Sequence, residues 1–520
     1  MNILLLTDAD VFAGTERHIL DLAVALFSQG QTVTIACPVP APLADKARTA
    51  GIRVVPVAKR RMPDFAAINI LAAELRAGRV DIIHAHNGRT HLLAVAAVKL
   101  AGRGRVVATQ HFLAPNRTGR RGPKAWLAGR LHRWAEKNTA AFIAISQAVK
   151  DQMLIRGDAR AEKITVVHNG TPEPEKTSAE RIAALRAELG VGEGLMVFCA
   201  ARLQKEKDIP TLIKAAGALR RRLQGTGYGG LGDDGGAEPQ VTAYRLQGTG
   251  GGDEVTGDRG QVTGGDVTGL AGQPAGRGSA AAERSTECTA NTANTACTER
   301  SNSFPQFFIA GEGDQRGECE RLIGAAGDEV TGDRGQGTVG GDEVTGYRGQ
   351  GTGLAGQPAG RGPAGAGPTE SAALPQHSNS YLLTPNSSQV DGGAIRLLGF
   401  RSDVSALMAA CDIFVLPAPA EPFGLVIIEA MALGKPVIAA GDGGPVEIVG
   451  DGETGLLFEP GNSESLAAAM KQLLTDADLR KRMGLAGRKR YEEMFTAQQM
   501  AGKMLAAYSV LGSRFSIDQY

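Results

Sequence analysis

The stretch DIFVLPAPAEPFGLVIIEAMALGKPVIAAG, residues 412–441, joins two short apolar runs through a longer helical segment. The runs at 412–418 and 435–441 contain valine and isoleucine, which favour strands, and proline or glycine near their ends, which favours a turn. A strand, a helix and a second strand in this order are typical of a parallel sheet covered by helices. This stretch therefore predicts an α/β fold.

The same alternation extends in both directions along the chain, with amphipathic helices such as 16–29 between the strands. Predicted strands of the first half are NILLLTD (2–8), TVTIACP (32–38), RVVPV (53–57), VDIIHAH (80–86), RVVATQH (105–111), AFIAIS (141–146) and ITVVHNG (164–170). Those of the second half are LMVFCAAR (195–202), QFFIAGEG (306–313), AIRLLGF (394–400), DIFVLPA (412–418), KPVIAAG (435–441) and TGLLFEP (454–460). We predict two facing, doubly wound, Rossmann-like domains over 1–175 and 190–500, followed by a C-terminal helix and tail over 501–520.

Two segments of the second domain, 222–303 and 324–390, differ sharply in composition from the rest. They are rich in glycine and contain direct repeats, such as GDEVTGDRGQ at 252–261 and again at 327–336. These repeats have no periodic apolar face and too few large apolar side chains to offset the entropy of ordering. We therefore predict two disordered, low-complexity insertions, each placed between a helix and the next strand.

The bulk composition excludes several classes of protein. The chain has 520 residues, a formal net charge of +1 and 21% charged residues, so its overall charge predicts no nucleic-acid partner. Six scattered cysteines without a C-x-x-C motif favour a reduced, cytoplasmic protein. No apolar run is long enough to span a membrane.

His84 and His86 alternate on one predicted strand, but no third metal ligand is evident beside them, and Asp8-Ala9-Asp10 lacks the context of a metal site.

The polar residues that stand out follow the predicted strands, at strand-to-helix connections. In open α/β sheets, ligands bind beyond the carboxyl ends of the strands. Residues in this position are Arg202, Lys207, Gly311, Arg401, Glu421, Gly424 and Gly443. We therefore expect them on the ligand side, whereas the two insertions are expected at the opposite edge.

Glu421 and Glu429 raise the question of a hydrolase, because paired carboxylates often act as general acid and base. Pro422 suits the first turn of a helix, so the sequence predicts Glu421 in a loop and Glu429 about two turns further along. Their backbones would then be roughly 12 Å apart at ~1.5 Å per residue, wider than the pairs of glycosidases. This spacing favours the two ends of one elongated ligand, with Arg202 and Lys207 flanking a diphosphate between them.

An ordered set of segments covering nearly everything outside the insertions resembles the retaining glycosyltransferases of group 1. In the second half these segments are ARLQKEKD (201–208), FIAGEGD (308–314), LLGFRSDV (397–404), CDIFVLP (411–417), EPFGLVIIEAMALGKPVIA (421–439) and GGPVEIVGDGETGLLF (443–458). In the first half they are AGTERHILDLAVAL (13–26), DIIHAH (81–86), VVATQH (106–111), IAISQAV (143–149) and VVHNG (166–170). The family has two facing Rossmann-like domains, the GT-B architecture, and uses nucleotide-sugars.

The resemblance implies roles for particular residues. Glu421 would bind donor-sugar hydroxyls with the backbone N–H groups of Phe423, Gly424 and Leu425, and Glu429 would bind the ribose. Arg202 and Lys207 would stabilise the departing diphosphate, with Gly311 in the neighbouring donor-binding loop. His111 would lie beside the reacting sugar, and Gly14 would bring backbone close to phosphate. Ser146 and Asn169 would lie in the cleft between the domains.

The resemblance also implies a reaction that retains anomeric configuration and needs no metal or other cofactor. The donor would be a UDP-, GDP- or ADP-sugar, and the acceptor a glycan or a lipid-linked hydroxyl compound of the bacterial cell envelope. Ala13 and Ala201 stand where the family often has glycine, which narrows the backbone approach to the donor. Two alternatives stay open, a nucleotide-sugar epimerase of similar architecture and a non-catalytic nucleotide-sugar-binding protein.

The segment RTGRRGPKAWLAGRLHRWAEK, residues 117–137, bears on the acceptor. It holds both tryptophans of the chain, and Trp126, Leu127, Leu131 and Trp134 form an apolar stripe bordered by basic residues. A basic amphipathic helix of this kind can lie on an anionic membrane surface, which would place a cytoplasmic protein at the inner face of the plasma membrane. A helix that packs its tryptophans on its own sheet is the alternative.

Overall fold

The computed structural model describes residues 1–58, 64–113, 123–225, 305–325 and 395–513. The strands in the first half of the described chain are β1 (Asn2–Leu6), β2 (Thr32–Cys37), β3 (Arg53–Pro56), β4 (Ile82–Ala85), β5 (Arg105–Gln110), β6 (Ala141–Ala144) and β7 (Ile164–Val166). They form a seven-stranded parallel sheet of order β3-β2-β1-β4-β5-β6-β7. The helices between them are α1 (Gly14–Ser28), α2 (Pro42–Thr49), α3 (Phe65–Arg76), α4 (Gly88–Ala101), α5 (Pro123–Lys137) and α6 (Gln147–Ile155).

The strands in the second half of the described chain are β8 (Met196–Ala200), β9 (Gln306–Ala310), β10 (Ile395–Gly399), β11 (Ile413–Leu416), β12 (Val437–Ala440) and β13 (Gly455–Phe458). They form a six-stranded parallel sheet of order β10-β9-β8-β11-β12-β13. The helices are α7 (Ala179–Glu188), α8 (Ile209–Gly225), α9 (Arg316–Ala325), α10 (Val404–Ala410), α11 (Leu425–Ala432), α12 (Pro445–Ile448), α13 (Ser463–Thr475), α14 (Ala477–Met494) and α15 (Ala497–Ser513).

Both sheets are covered by helices on their two faces, which explains the continuous apolar runs in their strands. Along β1, Ile3 and Leu5 face one core cluster, and Leu4 and Leu6 face the cluster on the other side of the sheet. All four side chains are at most 1% exposed. Burying a side chain of this size stabilises the folded state by about 1.5–3 kcal/mol, so these strands are anchored from both faces. The prediction of two doubly wound α/β sheets is confirmed.

The C-terminal helix α15 returns to the first sheet. Its Met500, Met504 and Tyr508 are buried in the same core cluster as Ile3 of β1. The chain crosses between the two sheets twice, and the two crossings are bonded together: Thr171 N–H donates to Phe495 O at 3.0 Å, and Ala497 N–H donates to Thr171 O at 2.9 Å. The described residues of both sheets belong to one compact unit. In the structure this helix begins at Ala497, four residues before the start of the segment predicted for it.

In each sheet the strand order reverses at one point, between β1 and β4 and between β8 and β11. Open α/β sheets bind ligands at this point, beyond the carboxyl ends of the strands. The predicted insertions are 222–303 and 324–390, and most of each lies within 226–304 or 326–394, which are outside the described residues. These segments join α8 to β9 and α9 to β10, so each runs from a helix to the next strand, as the sequence predicted.

Candidate functional site

Lys207 and Glu421 meet at the point where the strand order of the second sheet reverses. Lys207 ends a short turn of 3-10 helix after β8, and Glu421 lies in the loop after β11. Because β8 and β11 are neighbours in the sheet, their following loops lie side by side. The Lys207 Nζ donates to Glu421 Oε2 at 2.5 Å, and both side chains are less than one-fifth exposed. The structure thus brings a predicted diphosphate residue and a predicted sugar residue into one ion pair.

The Glu421 loop is fixed by the glycine pair that follows β12. Gly444 N–H donates to Glu421 O at 2.7 Å. A Cβ placed on Gly443 would lie 2.4 Å from the same carbonyl oxygen, and one on Gly444 would lie 2.3 Å from Phe423 Cα. No side chain can be accommodated at such distances, so the glycine pair lets two loops touch through their backbones. The loop position of Glu421 therefore depends on residues more than twenty positions later.

The helix that carries Glu429 begins later than predicted. Helix α11 starts at Leu425 with Gly424 as its N-cap, so the prediction that Pro422 lies in the first helical turn is wrong. The reason is the loop itself, because the Pro422 carbonyl accepts a hydrogen bond from Ser146 Oγ of the first domain at 2.7 Å. Glu429 lies four residues into the helix, about 6 Å along its axis rather than two turns from a start at Pro422.

Two helix N-termini face each other across the cleft. The N–H groups of Phe423, Gly424 and Leu425 have no acceptor within the described part of the chain. Gly14, the first residue of α1, lies against Leu425, with 3.8 Å between the position of a Cβ on Gly14 and Leu425 Cδ1. Unpaired N–H groups at helix starts attract anions. The arrangement therefore brings the predicted phosphate-binding backbone of the first domain to the predicted sugar-binding backbone of the second.

Glu429 lies opposite Arg17 of α1, with 3.8 Å between Glu429 Oε1 and Arg17 Nη2. Burial raises the pKa of Glu429, and the charge of Arg17 opposes this shift. Arg17 also holds Asp21 at 3.0 Å. Burial raises the pKa of Asp21 to about 6 against the opposing charge of Arg17. Arg17 and Glu429 line a cavity of about 480 Å³ together with Thr171, Glu173, Ser402 and Val404.

Arg202 and Gly311 take different places from Lys207. The Arg202 side chain is 63% exposed, and its Nη2 lies 3.5 Å from Glu206 Oε1. Gly311 follows β9, and a Cβ there would lie 1.9 Å from the Ala201 carbonyl oxygen. Gly311 N–H donates to Gly399 O at 2.8 Å. Gly311 therefore sets the packing of the loop that carries Arg202, while the guanidinium of Arg202 remains at the surface.

His111 lies at the end of β5 and is bonded to a second histidine. Its Nε2 is 3.0 Å from Nδ1 of His86, which follows β4. Both rings are buried. Burial, followed by the neighbouring histidines, holds the pKa of both rings well below the ordinary value of 6.5. His84, two residues before His86, makes hydrogen bonds instead to Tyr508 Oη of α15 at 2.7 Å and to Thr109 Oγ1 at 2.6 Å.

His18 completes this cluster, and the sequence interpretation missed it. It is the fifth residue of α1 and 1% exposed. Its ring centroid is 4.8 Å from that of His111 and 5.5 Å from that of His86. Its place on the buried face of a helix that follows β1 could have indicated a position near the strand ends. Burial lowers the pKa of His18 to about 4. The side chain of Asn169, which is buried after β7, opposes this shift.

Glu447 of α12 is a second residue that the sequence interpretation did not single out. Its carboxylate accepts from the backbone N–H groups of Gln147 and Ala148 at 2.9 and 3.2 Å. It also lies 2.9 Å from His168 Nε2. Burial would raise the pKa of Glu447, but the hydrogen bonds from His168 and the two N–H groups hold it below its usual value. Glu447 thus joins the second domain to the N-terminus of α6 in the first.

The tryptophans of α5 point outward. Trp126 is 62% exposed, Leu131 44% and Trp134 39%, so these three side chains of the predicted stripe are not packed on the sheet. The Arg130 guanidinium lies over the Trp126 ring, 5.0 Å from its centroid. Residues 117–122 of the predicted basic segment lie outside the described residues. No helix in the described ranges is long and apolar enough to cross a membrane.

Two family models match the chain, one in each half. The Glycosyltransferase Family 4 model matches residues 12–173, and the model of glycosyl transferases group 1 matches residues 392–490. The first match covers the helix with Gly14, the histidine cluster and the cleft residues Ser146 and Asn169. The second covers Glu421, Glu429 and the glycine pair. Arg202, Lys207 and Gly311 lie between the two matched ranges, outside both.

Curated relatives match a part of the chain. A lipopolysaccharide core biosynthesis glycosyltransferase of Rhizobium meliloti is 34% identical over 113 residues, which are 22% of this chain and 33% of that protein. A capsular polysaccharide biosynthesis glycosyltransferase of Staphylococcus aureus is 34% identical over 132 residues, 25% of this chain and 33% of that protein. The chain thus matches about a third of the length of these relatives.

Solved structures match over almost the whole chain. The structure of Anabaena HepE in complex with UDP and glucose has a TM-score of 0.60 at 19% identity and covers 98% of this chain and 99% of that one. A glycosyltransferase from Rickettsia africae has a TM-score of 0.62 at 17% identity, covering 98% of both chains. These similarities establish the fold, two parallel-sheet domains of the GT-B architecture. The chain therefore contains a glycosyltransferase family 4 domain at residues 12–173 and a domain of the group 1 glycosyl transferases at residues 392–490.

Proposed function

We propose that this protein is a retaining glycosyltransferase that moves a sugar from a nucleoside diphosphate to a hydroxyl group of an acceptor. The observation that carries the proposal is the Lys207–Glu421 ion pair beside the unpaired N–H groups at the start of α11. A cation, a carboxylate and several N–H donors converge there on one small region. A diphosphate attached to a sugar offers matching groups, anionic oxygens beside hydroxyl donors.

Lys207 would hold the diphosphate as its negative charge grows. When the bond from the sugar C1 to the phosphate oxygen breaks, the electron pair leaves with the diphosphate. Preorganised positive charge and N–H dipoles stabilise that state, which is often the largest catalytic contribution. The acceptor oxygen would form its bond to C1 on the same face, and its proton would pass to the departing phosphate oxygen. These steps leave the total charge unchanged, retain the anomeric configuration and need no metal.

Glu421 would release part of its contact with Lys207 and accept hydrogen bonds from the sugar hydroxyls. A lysine ammonium has three N–H donors, so it can keep Glu421 and still donate to phosphate. The position of Glu421 is set by the backbone of Gly444 rather than by Lys207 alone. We expect the carboxylate to stay in place when the donor enters.

Glu429 and the cavity of about 480 Å³ beside it would hold the nucleoside end of the donor. A carboxylate is the natural acceptor for the two ribose hydroxyls. The cavity does not distinguish UDP-, GDP- and ADP-sugars by charge. HepE was solved with UDP and glucose, so UDP-glucose is the first donor to test.

His111 would lie beside the reacting sugar as a neutral imidazole. A neutral ring can donate from one nitrogen and accept at the other, and at present one of its nitrogens is bonded to His86. His86 would therefore orient His111 without touching the substrate. Arg202 would reach the diphosphate only by moving from its surface position beside Glu206.

The acceptor would be a glycan or a lipid-linked compound of a bacterial cell envelope. Relatives that match part of this chain are described as acting in lipopolysaccharide core and capsular polysaccharide biosynthesis. The exposed Trp126, Leu131 and Trp134, with basic residues around them, fit a surface that rests on anionic lipid. We infer peripheral contact with the inner face of the plasma membrane, which is tested by sedimentation with anionic liposomes at low and high salt.

The decisive test of the reaction is analysis of the product by NMR. The full chain is incubated with UDP-, GDP- and ADP-sugars and lipopolysaccharide-type acceptors in the presence of EDTA. A new glycoside with the anomeric configuration of the donor is the expected result. An isomerised donor without a glycoside would identify an epimerase, and donor binding without any product would identify a non-catalytic binder. An inverted product would contradict the proposed mechanism.

A further inference from the structure

Three histidines from separate parts of the first domain form one buried cluster. His18 comes from α1, His86 follows β4 and His111 follows β5. One ring nitrogen from each lies within 4.8 Å of those of the other two. Their exposed fractions are 1%, 1% and 6%. Glycosyl transfer as described above uses only His111 and its contact with His86, so the cluster as a whole is not explained by that reaction.

The cluster contains more hydrogen-bonding capacity than its surroundings satisfy. Neither nitrogen of the His18 ring has a hydrogen bond of normal geometry within the described residues. The same is true of Nε2 of His86. Buried polar groups without partners destabilise the folded state, because they lose their hydrogen bonds to water without replacement. The His18 ring, which lies beside both other rings of the cluster, therefore lacks among the described residues the partner that a shared ligand would supply.

The chemistry of the cluster selects the class of ligand. Burial keeps all three rings neutral near pH 7, which is the form of imidazole that coordinates metals. The donor set is entirely nitrogen, whereas Mg²⁺ and Ca²⁺ require oxygen ligands. Imidazole is suited to Zn²⁺, Co²⁺ and Cu²⁺, and three histidines with one open position are a known arrangement for zinc in enzymes.

The distances require a small contraction. At a Zn–N distance of about 2.0–2.1 Å, two ligands of a tetrahedral ion lie about 3.3–3.4 Å apart. His86 Nδ1 and His111 Nε2 are already 3.0 Å apart. All ligand atoms lie within 4.8 Å of one another, so the widest pair must close by no more than about 1.4 Å, which ring rotations can supply.

We propose that His18, His86 and His111 form a binding site for a divalent transition-metal ion such as Zn²⁺. The ion is not part of the transfer chemistry. Since His111 is also placed beside the reacting sugar, a bound ion would occupy that ring and inhibit transfer. This inhibitory consequence rests on the proposed function, whereas the binding site itself does not.

Cobalt binding tests the site independently of any activity. The metal-free full chain is titrated with Co²⁺, and the visible absorption of a four-coordinate cobalt centre is recorded. One Co²⁺ per chain, displaced by Zn²⁺, is expected. His18→Gln and His86→Gln should each weaken binding by at least about 100-fold, the upper end of what loss of an outer-shell partner costs. His91→Gln is the matched control, because His91 is also buried but bonds to Thr139 outside the cluster.

These measurements test the metal site and its inhibitory effect separately. No cobalt spectrum, or an equal spectrum in the His18→Gln and His86→Gln variants, would overturn the metal site. If the site exists, Zn²⁺ at a concentration that saturates it should inhibit the wild-type protein and leave the His18→Gln variant active. Equal inhibition of both would overturn the inhibitory consequence. A normal cobalt spectrum in a protein that transfers no sugar would support the site and contradict the proposed function.

Discussion

Lys207 and Glu421 form an ion pair of 2.5 Å, and each lies beside a residue with left-handed backbone. Ala420, before Glu421, has a φ of +48°, and Asp208, after Lys207, has a φ of +46°. This conformation costs roughly 1–2 kcal/mol for a residue other than glycine. Strain of this kind is held in place by the surrounding structure and is common at active sites and ligand-binding sites. The pair is therefore the centre of the proposed donor site.

Replacing Glu421 should separate recognition of the sugar from recognition of the nucleotide. The Glu421→Gln variant keeps the shape of the side chain but loses its charge. We expect binding of the nucleotide-sugar to weaken by about 10- to 100-fold, the value of one or two hydrogen bonds to a charged group. Binding of the free nucleotide should stay within a factor of about 2, because Lys207 and the N–H groups of α11 remain. Calorimetric titration with both ligands measures this, and equal weakening of both would contradict the assignment.

Replacing Glu429 should affect the opposite end of the donor. In the Glu429→Gln variant, binding of the intact nucleotide should weaken by about 10-fold or more, since a charge-assisted hydrogen bond to the ribose is lost. A nucleotide analogue without ribose hydroxyls should bind the wild-type and variant proteins equally. The exposed Glu206→Gln variant serves as control. A variant that discriminates against the analogue as strongly as the wild type does would rule out Glu429 as the ribose ligand.

Gly443 should be intolerant of any side chain because the Glu421 carbonyl lies against it. Gly443 and Gly452 both have positive φ, +67° and +77°, but a Cβ on Gly452 meets nothing within 4 Å. Gly452→Ala should therefore cost only the backbone strain, about 1–2 kcal/mol. Gly443→Ala should cost a further 1–3 kcal/mol, roughly the price of overpacking, and should weaken donor binding as well. Urea denaturation of both variants gives the comparison, and equal losses would show that the contact is unimportant.

The buried histidines should make stability fall as the solution is acidified. Burial lowers the pKa of His91 to about 4, with the charge of His132 acting in the same direction. Below its ordinary pKa of 6.5 the unfolded chain binds a proton that the folded protein does not. The free energy of unfolding therefore decreases as pH falls from 6.5 to about 4, by about 1.4 kcal/mol per pH unit for each such ring.

Comparison of two proteins isolates this effect from other titrating groups. Asp21, whose pKa is raised to about 6, contributes in the opposite direction below pH 6, but equally in both proteins. The slope of unfolding free energy against pH between 6.5 and 5 should be shallower in the His91→Gln variant than in the wild type by about 1.4 kcal/mol per pH unit. Urea denaturation at several pH values measures it. Equal slopes in the two proteins would mean that His91 binds its proton with the same pKa in the folded and unfolded states.

Much of this fold could be predicted from the sequence because the strands are buried on both faces. Runs such as IFVL in β11 and VIAA in β12 are then apolar throughout and easy to locate. The order of strands and helices determines which connections lie at the ligand edge. For that reason the amino-acid sequence alone predicts Glu421 and Lys207 on the same side of one sheet.

The remaining features depend on contacts between distant residues. Pro422 favours a helix start, but hydrogen bonds from Ser146 and Gly444 hold its loop outside the helix. His18 and His86 are 68 positions apart, and no local pattern shows that α1 turns one toward the other. The return of α15 to the first sheet depends on Tyr508 reaching His84, which an amphipathic pattern alone does not reveal.

The central claim is that Lys207 binds the diphosphate of a nucleotide-sugar at the end of β8. It is tested most directly by calorimetric titration of UDP, GDP and ADP into the wild-type protein and into the Lys207→Ala and Lys205→Ala variants. Lys205 lies in the same turn but is exposed, so it is the matched control. We predict that one nucleotide binds the wild type and Lys205→Ala equally and binds Lys207→Ala at least about 10-fold more weakly. Equal affinity of all three proteins for that nucleotide, or no binding at all, would contradict the claim.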